Sequence, residues 1–549
     1  MKRPGGLAFV LAAVLATGAL LRLAGFLVVR PLWIDEAMLA LGIGRLSFAG
    51  LTGPLPYDQS APLLFLWSVK AVTLVAGMSE VALRLVPLVS GLAISWVVWR
   101  SAKPLVGAGA ALIATALAAG SFPLIRYSAE LKPYGVDALV TVVLVVLTLR
   151  VRAAPDRSAA WWQLLAGGLI GMAASYAAPF VLAGAWAALL LDGRVRRSVA
   201  ASRPMVLLTL GWGAGFGLLF LWLYLPQSRN LYMQAYWSET FLNLHAPDFG
   251  ERLYDVARTL TSALPALPGW VPVKVSLALL VIGLLLIGRR GGLPALAQTG
   301  GPFLAMGAGA LVAHYPVATR LFLFLSPFVF MAFGALIAGL GRLVRLPDTA
   351  AALAGTVLVG AWALPGFLGP DRLPAYFADG RASALLVAGS AGTEPVYILP
   401  GGLPAWAYYT TDWRRPDVHR LDRFARLGRA DGPGALNGLL PEADTTERSS
   451  LVVQRGSRQE LVGMRTGTRY LELRGNIGTG ADSAWARREV DRIVLAARPY
   501  AWLFGSQLST PTRLAMLAEL SRRGIQITRE LDEGNAIALR IQVPEDRAP

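Results

Sequence analysis

Apolar stretches long enough to cross a bilayer recur along this chain, and they decide its class. A transmembrane helix needs roughly 20 apolar residues, within a range of about 17–25. Candidates lie near 7–29, 82–99, 104–124, 135–150, 161–177, 178–191, 205–225, 271–288, 302–314, 321–340 and 348–366. The stretch 61–77 is a twelfth. Charge divides the chain unevenly. Residues 1–367 hold 40 of the 85 Asp, Glu, Lys and Arg side chains, and residues 368–549 hold the other 45. The expected organisation is therefore a transmembrane domain over 1–367 and a water-soluble domain over 368–549.

Basic residues orient the spans, because cytoplasmic loops collect Lys and Arg. The basic connections are Lys2/Arg3, Arg100/Lys103, Arg150/Arg152/Arg157, Arg194/Arg196/Arg197/Arg203, Arg289/Arg290 and Arg342/Arg345. All of them fall on one side only if a single span separates residue 30 from residue 100. Lys70 sits in the middle of 61–77, and a central Lys costs about 2.5–3.5 kcal/mol on insertion. The stretch 61–77 is accordingly read as a helix lying at the outer interface. About 11 spans remain, with a cytoplasmic N-terminus and an external C-terminus. The outer loops are 30–81, 125–134 and 226–270, with a short connection at 315–320. The 7–29 stretch resembles a signal peptide but is too long and lacks a small-residue cleavage site, so it reads as an anchor.

The net charge of +17 is mostly Arg between apolar segments, which is membrane topology rather than a nucleic-acid footprint. The absence of Cys excludes disulfides, thiol nucleophiles, zinc thiolates and iron–sulfur clusters. No glycine motif of the dinucleotide or phosphate-loop type follows a strand. In the tail, Val396–Leu399, Leu451–Val453 and Ala501–Phe504 are apolar runs suited to buried strands. Thr512–Arg523 has helical spacing, and Ile525–Arg529 with Ala536–Ile541 reads as a strand pair. The tail is an expected α/β domain.

The unusual residues lie in the outer loops. Asp35 and Glu36 follow the first span. A carboxylate there can act as a base, bind a cation, or balance Arg22 or Arg30. Tyr57-Asp58-Gln59-Ser60-Ala61-Pro62 is a polar turn in which Asp58 or Ser60 is expected to cap the following helix. In Arg126-Tyr127-Ser128-Ala129-Glu130-Leu131-Lys132-Pro133-Tyr134, Lys132 precedes a proline and is kept out of the helical region. If the segment is extended, Glu130, Lys132 and Tyr134 share one side. The alternative is an internal pair, Glu130–Lys132 or Arg126–Glu130. Arg320, after Tyr315-Pro316, stands where the helix dipole and the loop-charge bias both oppose a cation, so a phosphate is a suitable partner. Glu80 and Arg84, four apart, read as a helical ion pair. His245 and Asp248 are two metal-type ligands without a third.

Taken in order, these pieces resemble the bacterial membrane glycosyltransferases of the GT-C superfamily, in particular the protein mannosyltransferase/aminoarabinose transferase-like group (glycosyltransferase family 39 type). The resemblance covers roughly 1–345. It rests on Asp35-Glu36 after a first span, on Asp58-Gln59-Ser60-Ala61-Pro62-Leu63, and on Glu80-Val81-Ala82-Leu83-Arg84-Leu85-Val86-Pro87. The Arg126–Tyr134 loop and Tyr315-Pro316 through Arg320 complete it. The resemblance implies a polytopic α-helical membrane protein with a C-terminal soluble α/β domain, placed in a bacterial inner membrane with that domain periplasmic or extracellular. It implies transfer of a sugar, with inversion, from a polyprenyl-phosphate donor to a hydroxyl of a glycan, lipid or protein acceptor. Asp35 would be the general base, with Glu36 beside it as a second catalytic carboxylate. Lys132, Arg320 and Arg126 would hold the carrier phosphate, and Tyr57, Asp58, Gln59, Glu130, Tyr134 and Tyr315 would line the substrate site. No nucleotide or redox cofactor is expected, and a divalent cation at the two acids is left open. Trp161-Trp162 is not followed by the Asp-Tyr-Gly of oligosaccharyltransferase catalytic subunits, which argues against N-linked oligosaccharide transfer. The competing reading is a transporter or flippase of lipid-linked glycans.

Overall fold

The structure is a computed structural model. It describes residues 6–228, 271–312, 315–368, 380–392, 402–411, 499–506, 510–533 and 536–544. Shorter or interrupted pieces are described within 237–258, 394–398, 413–414, 451–472 and 486–494. A bundle of apolar helices occupies the chain up to Leu368. A mixed sheet with flanking helices follows.

The bundle begins with α1 (Gly6–Leu27), α2 (Ile34–Arg45), α3 (Leu63–Ala76), α4 (Glu80–Val106), α5 (Ala108–Gly120), α6 (Phe122–Arg126) and α7 (Tyr134–Ala153). It continues with α8 (Ser158–Ala174), α9 (Ala178–Leu191), α10 (Gly193–Arg197) and α11 (Val199–Leu219). After the long loop come α12 (Val273–Val312), a 3₁₀ turn Thr319–Leu325, α13 (Ser326–Leu343) and α14 (Asp348–Leu368). Five described helical stretches are long and apolar enough to cross a membrane: Gly6–Leu27, Glu80–Val106, Tyr134–Ala153, Val199–Tyr224 and Thr319–Leu343. Four shorter apolar helices accompany them. The expected span 104–124 begins only at Ala108, because α4 runs on to Val106 and Gly107 turns the chain at φ +88°. The first two expected spans after residue 270 fall in one helical run, Val273–Val312, bent at Gly292, where φ is +71°.

Two buried cations fasten the helices. Arg22, inside α1, meets no acid among the described residues. Its guanidinium donates to the carbonyls of Gly18, Ala118 and Ala119 at 2.8–3.1 Å. The Ala118 and Ala119 carbonyls sit at the end of α5, so α1 is pinned there. Lys70, in the helix read as interfacial, donates to the Ile43 carbonyl at 2.9 Å. It satisfies the C-terminal end of α2, where carbonyls lack helical partners.

The tail contains α15 (Gly380–Ser390), β1 (Val396–Ile398), α16 (Leu403–Thr410), β2 (Leu451–Arg455), β3 (Arg458–Gly463), β4 (Thr468–Glu472), β5 (Tyr500–Gly505), α17 (Thr510–Arg522), β6 (Gln526–Glu533) and β7 (Ala536–Gln542). The seven strands run β2-β3-β4-β1-β5-β7-β6. β1 pairs parallel to β4 and β5, and the remaining neighbours pair antiparallel. β1 is buried along its length and β5 nearly so, as continuous apolar runs in a sheet centre should be. The apolar stretches expected as strands are strands, and β3 and β4 add to them. His245 and Asp248 lie outside the described residues.

Candidate active site

The site is organised by the first turn of α2. Chain segment 28–33 leads from α1 into α2, with Trp33 in extended backbone as the N-cap. Asp35 and Glu36 follow at once, where the exposed amides of a helix start favour negative charge. They then part company.

Glu36 is fully buried. Its Oε1 accepts from Arg84 Nε at 2.9 Å and from the Leu131 amide at 2.6 Å. Its Oε2 accepts from Arg84 Nη2 at 2.8 Å and Arg30 Nη1 at 3.0 Å, with the Trp33 amide at 3.4 Å. Arg84 also donates to the carbonyls of Arg30 and Pro31, at 2.6 and 3.2 Å. Arg30 donates to the Ala129 carbonyl at 2.9 Å. Burial alone would raise the Glu36 carboxyl. Arg84 and Arg30, with the Leu131 amide, overcome it and hold the group at about 2. Glu36 therefore ties α2, α4 and the loop before α7 into one unit. Both its oxygens are engaged by protein donors, which corrects the expectation of a second carboxylate open to substrate.

Asp35 points elsewhere and keeps 23% of its side-chain surface exposed. Its Oδ2 stands 3.4 Å from Lys132 Nζ and 3.4 Å from Arg320 Nη1. Both distances exceed the 2.7–2.9 Å of a tight charge-assisted hydrogen bond. Two cations thus share one carboxylate oxygen loosely. Lys132 Nζ also lies 3.4 Å from Gln59 Oε1 and 5.8 Å from the Trp33 ring centroid. Arg320 lies 5.1 Å from the Trp237 ring centroid. Burial lowers the Lys132 ammonium below the ordinary lysine value, with Asp35 opposing that shift and Arg320 adding to it.

Of the remaining expected residues, Gln59 reaches this centre directly. Gln59 is at the site through Lys132, and Tyr57 is held at φ +55° beside it. Gln59 Nε2 contacts the Tyr57 carbonyl and the Met38 sulfur. The Asp58 side chain lies outside the described residues. Ser60 does not cap α3, whose N-cap is Pro62 with no side-chain cap. The Ser60 hydroxyl donates instead to Tyr176 Oη at 3.2 Å.

The Arg126–Tyr134 segment is a turn and not an extended strand, since the Lys132 amide bonds the Glu130 carbonyl two residues back at 2.8 Å. Glu130 and Lys132 therefore do not share a side. Glu130 meets Arg126 at 2.6 Å and Arg30 at 3.5 Å, and burial pushes its carboxyl up. Arg126 gives its Nε to that pair. Tyr134 packs edge-on to Tyr127 and Tyr315 edge-on to Phe180. The expected Glu80–Arg84 pair is absent, because Arg84 turns to Glu36. Glu80 meets Arg381 at 3.2 Å and accepts from Tyr409 Oη at 3.2 Å. Arg30, Arg84 and Trp237 were not singled out by sequence for this role. An intramembrane-edge Arg one turn after Glu80 carried the available signal.

The open question of a divalent cation meets an unsuitable donor set. Among the described residues no group of three or more His, Cys, Asp or Glu could hold a metal ion. Glu36 is bound by two arginines, and Asp35 stands between two cations.

Residues 60–214 match the family model for dolichyl-phosphate-mannose-protein mannosyltransferase. This is the family resemblance already carried by the ordered loops. The matched segment contains the Lys132 turn and Arg84, and leaves Asp35, Glu36 and Arg320 outside it. No curated protein matches the chain in sequence. Among solved structures, the chain is similar to ArnT from Cupriavidus metallidurans bound to undecaprenyl phosphate, at 16% identity and TM-score 0.45, with 100% of each chain covered. The apo form of that protein gives 16% identity and TM-score 0.43, with 99% of each chain covered. The Archaeoglobus fulgidus oligosaccharyltransferase in complex with zinc and sulfate gives 15% identity and TM-score 0.40, covering 64% of this chain and 53% of that one.

Removing the Glu36 charge should collapse the site's support. Glu36→Gln leaves the buried Arg84 guanidinium without its anion and Arg30 with the longer, 3.5 Å contact to Glu130, and breaking such a buried pair costs about 3–5 kcal/mol. Thermal unfolding of the purified protein should fall accordingly. The Glu36 carboxyl is depressed in the folded state, so its stabilisation is complete above the ordinary carboxylate value and drains only as pH falls towards about 2. A wild-type melting temperature insensitive to Glu36→Gln would contradict this role.

Proposed function

We propose that the chain is a membrane glycosyltransferase that moves a sugar from a polyprenyl-phosphate donor to an acceptor hydroxyl. The observation that carries the reading is Asp35 standing between Lys132 and Arg320, each 3.4 Å from its Oδ2. The family match over 60–214 supports it. In the reaction, Asp35 takes the proton of the acceptor hydroxyl. The oxygen attacks the anomeric carbon, the bond from that carbon to the phosphate oxygen breaks, and the polyprenyl phosphate departs with the electron pair. In-line attack opposite the phosphate inverts the anomeric centre. Lys132 and Arg320 neutralise the charge gathering on the leaving phosphate, the role that fixed cations perform best in a site excluded from water.

The same two cations link donor and base, because an incoming phosphate competes with Asp35 for both. Glu36 acts at a distance by holding Asp35 and, through the Leu131 amide, the Lys132 turn. Gln59 orients the Lys132 ammonium. The reading keeps about 11 spans over 1–367, a soluble domain over 368–549, the active site and that domain outside, and a bacterial inner membrane as location.

The test is a panel of polyprenyl-phosphate sugars offered to the purified protein in lipid, with a membrane extract as acceptor and donor loss followed by mass spectrometry. One donor should be consumed. A donor that crosses the bilayer without being consumed would replace this reading by the transporter one.

The protonation of Lys132 gives a second outcome. Phosphate binding needs the ammonium, and burial lets Lys132 lose its proton below the ordinary lysine value. Affinity for a polyprenyl monophosphate should therefore decline as pH rises through that lowered value. Lys132→Arg, charged throughout, should move the decline to higher pH. The same alkaline limb in both proteins would remove Lys132 from phosphate binding.

A further inference from the structure

α16 of the soluble domain rests on the two loops that build the site. Tyr409 Oη accepts from the Leu32 amide at 2.8 Å and donates to Glu80 Oε1 at 3.2 Å. Arg381 of α15 meets the same Glu80 oxygen at 3.2 Å. Tyr408, edge-on to Tyr409, donates to the Met78 carbonyl at 2.8 Å. The Trp413 ring fills the space beside Gly44, where an added Cβ would collide with it. The contact is partly buried and is hydrogen-bonded at both ends.

Leu32 lies three residues before Asp35. The backbone just ahead of α2 has its carbonyls at Arg30 and Pro31 taken by Arg84 from the membrane domain. Its amide at Leu32 is taken by Tyr409 from the soluble domain. The Tyr409 hydroxyl is in turn fixed by Glu80, one helical turn from Arg84. Both domains thus set the approach of α2, and with it the place of the carboxylate at its second residue.

We infer that Tyr409 is a positioning residue for Asp35, so that the soluble domain takes part in the transfer by holding the base rather than by touching substrate. The inference rests on the reading of Asp35 as the base. The lipid-phosphate end of the site does not depend on this bond, because Lys132 and Arg320 are carried by other segments. Loss of the bond should therefore slow the chemical step and spare donor-phosphate binding. Small misplacements of a catalytic group cost up to about a hundredfold.

The experiment uses the full chain in lipid. Tyr409→Phe should lower kcat about tenfold for the donor that the wild type consumes, while affinity for a polyprenyl monophosphate stays within about twofold. Hydrogen exchange of the 28–36 peptide should accelerate at the Leu32 amide. Glu80→Gln, on the other side of the same bond, should give the same split in smaller measure, and it carries the test if Tyr409→Phe does not accumulate. Tyr408→Phe removes a docking bond that does not reach the α2 approach, and should leave kcat within about twofold. An unchanged kcat in Tyr409→Phe despite faster exchange would overturn the inference. So would equal losses of kcat and phosphate affinity in Tyr409→Phe and Tyr408→Phe alike. Full turnover by Asp35→Asn would instead remove the reading beneath it, and the exchange result would still report on the bond.

Discussion

Everything at the site depends on one buried carboxylate. Glu36 receives the fork of Arg84, one arm of Arg30 and the amide of Leu131. A charge in such a place is expensive unless every lone pair is used. Here the expense is offset by four strong donors from three parts of the chain. The network is rigid because each of its members would be left buried and unpaired if it moved. Its position in sequence gives it its use. It adjoins Asp35 on one side and, through Leu131, adjoins Lys132 on the other. Asp35 and Lys132, the proposed base and the proposed phosphate ligand, are therefore each one residue from an anchored point.

Around that anchor, the site separates structural charge from working charge. Arg30, Arg84, Glu36 and Glu130 are buried and paired, and the exposed Arg126 pairs with Glu130. Asp35, Lys132 and Arg320 meet at 3.4 Å, which leaves the cations ready to exchange one anion for another. The long loop contributes Trp237 against Arg320, and α16 of the C-terminal sheet region contributes Tyr409 against the approach to α2. Helices that are apolar enough for the bilayer carry the frame, and the chemistry sits on the short polar segments between them.

Much of the frame was legible in the amino-acid sequence, because apolar length and apolar strand runs are local signals. Asp35, Lys132 and Arg320 were legible as polar residues that lacked a reason to be where they are. Their pairing was harder to read. Arg84 was assigned to Glu80 by the four-residue spacing, yet its partner Glu36 lies 48 positions away. Glu130 and Lys132 were placed on one side by the alternation of an extended chain, and a turn closed by the Lys132 amide put them apart. Glu36 looked like a second catalytic acid because nothing local reveals that two arginines will close over it. Tyr409 gave no signal at all, since its bond to Leu32 spans 377 positions.

The central claim is that Asp35 supplies the base while Lys132 and Arg320 supply the phosphate site. Single-turnover transfer by wild type and Asp35→Asn, measured together with binding of polyprenyl monophosphate to each, separates the two roles most directly. The account predicts that Asp35→Asn binds the lipid phosphate at least as well as the wild type, since it frees both cations, and transfers no sugar. Wild-type transfer by Asp35→Asn, or loss of phosphate binding in step with transfer, would contradict it.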